Sequence, residues 1–189
     1  MLSYIKKQSI HHMIKTISLQ EYCHLDDILK NYFYISFNID FDGTLNILAL
    51  VEEPQYRTPD GCFVIPKTKN PHTFKLFFPS SLREVVTIRD VWNYHFASLL
   101  NNNEVLLACA RSNHEEKNVK IYDESGQLQR EFCFGEGIED IQVSEDSLIW
   151  CSYFDQGIFS EDKIGHPGLN CWNVLGEKVY SFSAEKGLD

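Results

Sequence analysis

The sequence Gly137-Ile-Glu-Asp-Ile-Gln-Val-Ser-Glu-Asp-Ser-Leu-Ile-Trp-Cys-Ser-Tyr153 contains two apolar runs separated by a polar turn. Each run is as long as a short β-strand, and the first mixes apolar with polar residues as a half-buried strand does. Related patterns occur at residues 35–50 and 88–109. We therefore predict that a degenerate β repeat forms the framework of the chain.

The repeat divides most of the chain into three units of four strands each. The predicted units are residues 34–78, 88–134 and 138–183. Four short antiparallel strands that recur at intervals of roughly 45–60 residues are typical of propeller blades. Gly126 and Gly176 lie in the outer hairpins, where the chain needs a positive φ between two strands. A β-sandwich or a plain meander is the alternative.

The strand assignment within these units follows the apolar runs. In the first unit we predict strands at 34–40, 45–51, 62–66 and 73–78, and the second unit starts with a strand at 91–99. Residues 34–189 then form one all-β, propeller-like domain. Residues 1–33 fit the repeat poorly and are predicted to be an irregular or partly helical appendage, with Ser18 as a helix cap.

Three segments resemble a family of WD40-like bacterial propeller proteins: Val119-Lys-Ile-Tyr-Asp-Glu-Ser-Gly126, Gly135-Glu-Gly-Ile-Glu-Asp-Ile-Gln-Val143 and Ile149-Trp-Cys-Ser-Tyr-Phe-Asp-Gln-Gly-Ile-Phe159. The resemblance is best over residues 118–175. It implies a propeller-like fold and supplies no catalytic residues. Three blades cannot close a ring that normally needs four to eight, so the chain resembles a truncated member. Open blade edges would favour self-association.

Composition restricts the partners and the location. The formal net charge is −10 and the pI is about 5.1, which argues against nucleic acid because phosphate binding needs clustered Lys and Arg. The sequence contains neither an apolar run of about 18 residues nor a signal peptide, so we predict a cytoplasmic protein without a membrane partner. The six cysteines lack metal-binding spacing and are predicted to be reduced.

In a propeller the tight turns and the long connections lie on opposite faces, and function usually lies on the irregular loops. We predict that the long connections 52–61, 111–118 and 154–168 share a face with the segments 83–90 and 135–140, which lead into blades. This face would be acidic. Its candidate ligand-binding residues are Arg89, Asp90, Arg111, Glu139, Asp140 and Asp155.

Arg89-Asp90 and Glu139-Asp140 are predicted to occupy equivalent positions in successive blades. One hypothesis is that they line an acidic central funnel that binds a cation or a basic partner. The alternative is that these carboxylates accept hydrogen bonds from neighbouring backbone amides and keep the blades in register. His114, His166 and the pair His11-His12 lack the spacing of metal ligands, so no metal or other cofactor is predicted.

A second motif suggests a different chemistry. Asp40-Phe-Asp-Gly-Thr-Leu45 resembles the first signature of haloacid-dehalogenase-type phosphatases. The resemblance implies that Asp40 is a nucleophile and Asp42 a general acid and base, with Mg²⁺ held by carboxylates. Such enzymes need alternating helices and parallel strands, whereas the sequence after Thr44 predicts hairpins. Asp42-Gly43 is equally compatible with an ordinary hairpin turn.

We therefore predict a non-catalytic binding or scaffold protein that presents an acidic loop face to a protein or a small ligand. The alternatives are a metal-dependent propeller hydrolase and the phosphatase.

Overall fold

The computed structural model describes residues 24–79, 81–113 and 115–182. Twelve strands in this part of the chain form three antiparallel sheets of four strands, each a meander in chain order. Sheet 1 contains β1 (Phe33–Ile39), β2 (Leu45–Leu50), β3 (Lys67–Phe77) and β4 (Val86–Trp92). Sheet 2 contains β5 (Phe96–Leu99), β6 (Val105–Ala108), β7 (Val119–Tyr122) and β8 (Leu128–Phe132). Sheet 3 contains β9 (Ile138–Val143), β10 (Ile149–Tyr153), β11 (Leu169–Trp172) and β12 (Lys178–Ser181).

The first strands of the three sheets meet at the centre of the array. β1 contacts β5, and β5 contacts β9. The Asn38 side chain links all three, because its Nδ2 donates to Ser98 Oγ at 2.7 Å and its Oδ1 accepts from Gln142 Nε2 at 3.3 Å. This arrangement of four-stranded sheets around their first strands confirms the predicted all-β, propeller-like fold.

Five hairpins use the same turn, which links β1–β2, β5–β6, β7–β8, β9–β10 and β11–β12. In each turn the first residue donates its N–H to the fifth residue's carbonyl, and the fourth residue donates to the first residue's carbonyl. The fourth residue always has a positive φ, as three-residue hairpin loops require. Glycine fills that position in three turns, including the predicted Gly126 and Gly176, and Asn103 and Ser147 fill it in the other two.

Two apolar clusters hold the three sheets together. The first lies between sheets 1 and 2 and includes Leu48, Phe74 and Leu107, and the second lies between sheets 2 and 3 and includes Leu106 and Ile149. Leu106 and Leu107 are neighbours in β6, so their side chains point to opposite faces of sheet 2. All four residues of β6 are buried, because sheet 2 is covered on both faces.

The first sheet differs from its predicted strands. Residues 62–66 form no strand, and only a single bridge between Arg57 and Val64 orders the loop before β3. The fourth strand is β4, which pairs with β3 through Phe74 and Ile88. Residues 88–92 therefore belong to sheet 1 and do not start the second unit. The prediction was wrong here because polar residues and Pro71 interrupt the alternation in β3.

The structure also bears on the predictions for the N-terminal segment, the cysteines and membrane-spanning helices. A short helix, α1 (Leu25–Leu29), precedes sheet 1, whereas the predicted cap Ser18 lies outside the described residues. The five cysteines in the described part of the chain are all free, as predicted. Within that part, no helix is long and apolar enough to cross a membrane.

Some apolar side chains of the outer sheets are exposed. Phe37 and Ile39 in β1 are each 60% exposed, and Val179 and Tyr180 in β12 are about half exposed. Self-association through open edges stays a prediction, which the mass of the protein in solution tests directly.

A buried polar network joins sheet 1 to sheet 2 around Asp90. Its Oδ2 accepts hydrogen bonds from Lys120 Nζ at 2.7 Å, Tyr94 OH at 2.9 Å and Tyr122 OH at 2.5 Å. Its Oδ1 accepts from the backbone N–H groups of the next two residues. Burial alone would raise the pKa of Asp90, but the hydrogen bonds from Lys120 and the two tyrosines hold it below the ordinary value of 3.8.

Replacement of Asp90 by Asn should lower the free energy of unfolding by about 3 kcal/mol, because Lys120 loses its close buried carboxylate and keeps only the longer contact with Glu131 Oε2 at 3.8 Å. Lys117→Gln removes an exposed ion pair and is the control, with an expected change below about 1 kcal/mol. Urea unfolding at pH 7 measures both. Equal effects of the two variants would show that the network does not stabilise the fold.

The same network predicts how stability depends on pH. Since the pKa of Asp90 is lower in the folded state, its contribution is present above the unfolded pKa of about 4 and is lost as the pH falls through the folded value. The difference in stability between wild type and Asp90→Asn should therefore shrink below about pH 4. A constant difference from pH 7 to pH 2.5 would contradict this assignment.

Candidate functional site

The long connections converge on one face of the array, as predicted. We call this the loop face and define it as residues 51–66, 93–95, 109–113, 115–118, 133–137 and 154–168. In three consecutive meanders these segments all lie at the end opposite the five hairpin turns. Part of this face encloses an open cavity of about 510 Å³, the loop-face pocket, which is lined by Val64, Pro66, Arg111, Ser112, Asn113, Glu136, Gln156, Phe159, Ser160, Glu161 and Asp162. This volume is in the range of small-molecule sites.

An ion pair between Arg111 and Glu136 lies in the wall of this pocket. Arg111 Nε is 2.6 Å from Glu136 Oε1, and Glu136 Oε2 accepts the backbone N–H of Ser112 at 2.5 Å. The Arg111 guanidinium also lies over the Phe154 ring, 5.7 Å from its centroid. Burial raises the pKa of Glu136 above its ordinary value, although the Ser112 amide and Arg111 oppose this effect.

Asp162 organises the part of the lining next to Glu136. Its Oδ1 accepts hydrogen bonds from Ser160 Oγ at 2.8 Å and from the Ile164 N–H at 2.9 Å. Its Oδ2 accepts the N–H of Glu136 at 3.2 Å. One carboxylate thus ties the long loop after β10 to the segment that leads into β9.

Glycines bring these two segments together. The four-residue helix α2 (Asp155–Ile158) packs directly on residues 136–137, and Phe154 N donates to Gly137 O at 3.0 Å. A Cβ at Gly137, whose φ is +70°, would lie 2.2 Å from Gly157 N, and a Cβ at Gly157 would lie 2.3 Å from Glu136 O. The contact between the two segments, next to the pocket, is backbone against backbone, and no side chain would fit between them.

The predicted ligand-binding residues lie in different parts of the structure. Arg111 lines the pocket, and Asp155 lies beside it in the first turn of α2, exposed to solvent. Glu139 and Asp140 are exposed on β9, one of the three central strands. Asp140 Oδ1 accepts the N–H of Ile141, and its side chain lines a small cavity of about 70 Å³ between β1, β5 and β9.

Arg89 and Asp90 do not occupy positions equivalent to Glu139 and Asp140. They lie in β4, the last strand of sheet 1, whereas Glu139 and Asp140 lie in β9, the first strand of sheet 3. The predicted equivalence was wrong because the missed β4 shifted the assignment by one strand. Arg83, which was predicted on the same face as the long connections, lies at the opposite end of the sheets with the hairpin turns, where its Nη1 donates to Asn103 Oδ1.

Two residues that shape the pocket, Ser112 and Glu136, were not singled out from the sequence. Glu136 lies between Gly135 and Gly137, and both glycines have a positive φ. The pattern that could have identified Glu136 is a charged residue between two glycines on a predicted loop. Nothing in the sequence distinguishes Ser112.

The phosphatase-like motif forms a hairpin turn. Asp42 Oδ1 accepts the N–H of Thr44 at 2.8 Å, and Gly43 has a φ of +81°. Asp40 is buried and accepts hydrogen bonds from Asn46 Nδ2 and from the Leu99 N–H, which ties the turn to β5. Burial raises the pKa of Asp40 above its ordinary value. This antiparallel setting differs from the parallel strands and helices that the phosphatase hypothesis requires.

The described residues contain no group of three or more His, Cys, Asp or Glu side chains that could hold a metal ion. His166 contacts the Ser160 carbonyl through Nε2 at 2.8 Å. His114 and the pair His11-His12 lie outside the described residues.

No family model and no curated protein matches this chain. Among solved structures, it is similar to a gluconolactonase from Xanthomonas campestris. The two are 13% identical with a TM-score of 0.43, and the match covers 77% of this chain and 45% of that chain. The chain therefore spans less than half the length of that enzyme. The propeller-like fold implied by the sequence resemblance rests on the three sheets described above.

Substitution of Gly137 by Ala should destabilise the protein by about 3 kcal/mol or more, because it combines a positive φ with a clash against the backbone of α2. Gly43→Ala is the matched control. Its φ is also positive, but no atom lies within 4 Å of the added Cβ, so we expect a loss of about 1 kcal/mol. Thermal unfolding measures both changes. Similar losses would show that α2 does not rest on Gly137.

Proposed function

We propose that the protein is a binding module whose loop-face pocket takes a cationic group of a protein or small ligand. The observation that carries this proposal is the charge of the pocket. Its lining contains one arginine and three carboxylates, Glu136, Glu161 and Asp162. Arg111 is already matched by Glu136 at 2.6 Å, so the remaining charge of the lining is negative.

The physical basis for such binding is a carboxylate-lined, partly enclosed cavity. Charge-assisted hydrogen bonds between carboxylates and ammonium or guanidinium groups contribute about 1.5–3 kcal/mol each. The overall charge of −10 adds a long-range attraction for positively charged partners, which salt weakens.

The contacts within the pocket favour binding over catalysis. Asp162 and Ser160 hydrogen-bond to each other, and Asp162 also holds two backbone amides. Glu136 is held by Arg111 and by the Ser112 amide. These side chains fix the geometry of the loops, and a rigid polar cavity is what a specific binding site needs.

A peptide experiment tests the proposal. A fluorescent tetralysine peptide should bind with an affinity that falls as salt rises, and a tetraglutamate peptide should not bind. Glu161→Gln should weaken binding of tetralysine about three- to tenfold, because it removes a pocket charge. Glu145→Gln removes an exposed charge on the hairpin side and is the control, with an expected change below about twofold.

Two outcomes would overturn the proposal. One is equal binding of the acidic and basic peptides, and the other is an equal effect of Glu161→Gln and Glu145→Gln. Metal analysis of the purified protein addresses the alternative of a metal-dependent propeller hydrolase. We expect no stoichiometric metal, and one tightly held divalent ion per chain would favour the hydrolase.

A further inference from the structure

We infer that the ligand of the loop-face pocket is a small zwitterion, whose carboxylate binds Arg111 and Ser112 while its ammonium group faces Glu161 and Asp162. Free amino acids and short peptides belong to this chemical class. The inference rests on the proposed function and adds a carboxylate to the cationic group already assigned to the pocket.

The guanidinium of Arg111 has hydrogen-bonding capacity that the fold does not use. Its Nε lies 2.6 Å from Glu136 Oε1, and the guanidinium carries five N–H donors in all. No described residue accepts a hydrogen bond from Nη1 or Nη2. The Glu136 contact and the Phe154 ring hold the guanidinium in place, so its planar end is preorganised for an acceptor with two parallel oxygens. A carboxylate is such an acceptor.

The hydroxyl of Ser112 provides a second, independent indication. Ser112 lines the pocket and is only 6% exposed, yet its Oγ has no hydrogen-bond partner among the described residues. Its backbone N–H is fixed on Glu136 Oε2, which places the residue directly beside the ion pair. Buried hydroxyl groups are nearly always hydrogen-bonded in folded proteins, so an orphan next to an unused arginine fork indicates a missing ligand oxygen.

The rest of the lining excludes a simple anion. The lining contains one arginine and three carboxylates, and this excess of negative charge would repel a lone carboxylate. Asp162 Oδ2 accepts one long hydrogen bond, at 3.2 Å, from the described residues, so it retains capacity for a further donor. A ligand that carries an ammonium group next to its carboxylate satisfies both the Arg111 guanidinium and the Asp162 carboxylate. Phe159 is 81% exposed and offers an apolar surface to the ligand's side chain.

Matched pairs of small molecules test the inference by isothermal titration calorimetry. Glycine, leucine and lysine are each compared with the amine that lacks the carboxylate: methylamine, 3-methylbutylamine and 1,5-diaminopentane. At least one amino acid should bind about tenfold or more tightly than its amine. 4-Methylpentanoate, which lacks the ammonium group of leucine, should bind more weakly than leucine.

Two variants locate the carboxylate. Arg111→Lys keeps the charge but loses the fork, and it should abolish the preference for the amino acid over its amine. Ser112→Ala should weaken the amino acid about three- to tenfold and leave the midpoint of thermal unfolding unchanged or raised, since its Oγ bonds to no described residue. Arg57→Lys, on the same face but outside the pocket, is the control and should change neither affinity.

The outcomes separate this inference from the proposed function. If the amines bind as tightly as the amino acids and tetralysine still binds, the inference is wrong and the cation-binding function stands. If neither the amino acids nor tetralysine binds, both are wrong. A fall in affinity for Ser112→Ala that is matched by a fall in the midpoint of thermal unfolding would indicate a structural role and would also overturn the inference.

Discussion

The structure depends on the burial of sheet 2 on both of its faces. β6 contributes four consecutive buried residues, of which alternate side chains pack on sheet 1 and on sheet 3. Because strand residues point alternately to the two faces, a single short strand joins both apolar clusters. The stacking of the three sheets aligns their ends, so the hairpin turns collect on one side and the long connections on the other. The loop-face pocket is a consequence of that alignment.

Much of the fold could be predicted from the sequence because the strands of sheets 2 and 3 are short apolar runs bounded by turn residues. β9 and β10 around the Ser144–Ser147 turn are the clearest case, and the structure places both as predicted. Sheet 1 was harder. β3 is long, contains Pro71 and several polar residues, and is interrupted by a bulge, so its pairing with β4 depends on contacts that no local pattern reveals.

The site was predictable only in outline. The segregation of long loops to one face follows from the order of strands in a meander, and Arg111 was correctly expected on that face. The partner of Arg111 was not predictable, because Glu136 lies on a different loop and the two meet only in the folded structure. Asp90 shows the opposite case. It carries the residue type of a ligand-binding group, but Lys120 and two tyrosines occupy its Oδ2.

The contact of α2 with residues 136–137 supports the loops next to the pocket without using any side chain that could touch a ligand. Because backbone meets backbone there, Gly137 and Gly157 hold α2 against the segment that leads into β9, and the Asp162 and Glu136 carboxylates fix the neighbouring loops. Phe159 lines the pocket but is 81% exposed, so it can be exchanged without a change in this backbone contact. A scaffold of this kind can acquire a new ligand preference through surface substitutions alone, at little cost to folding.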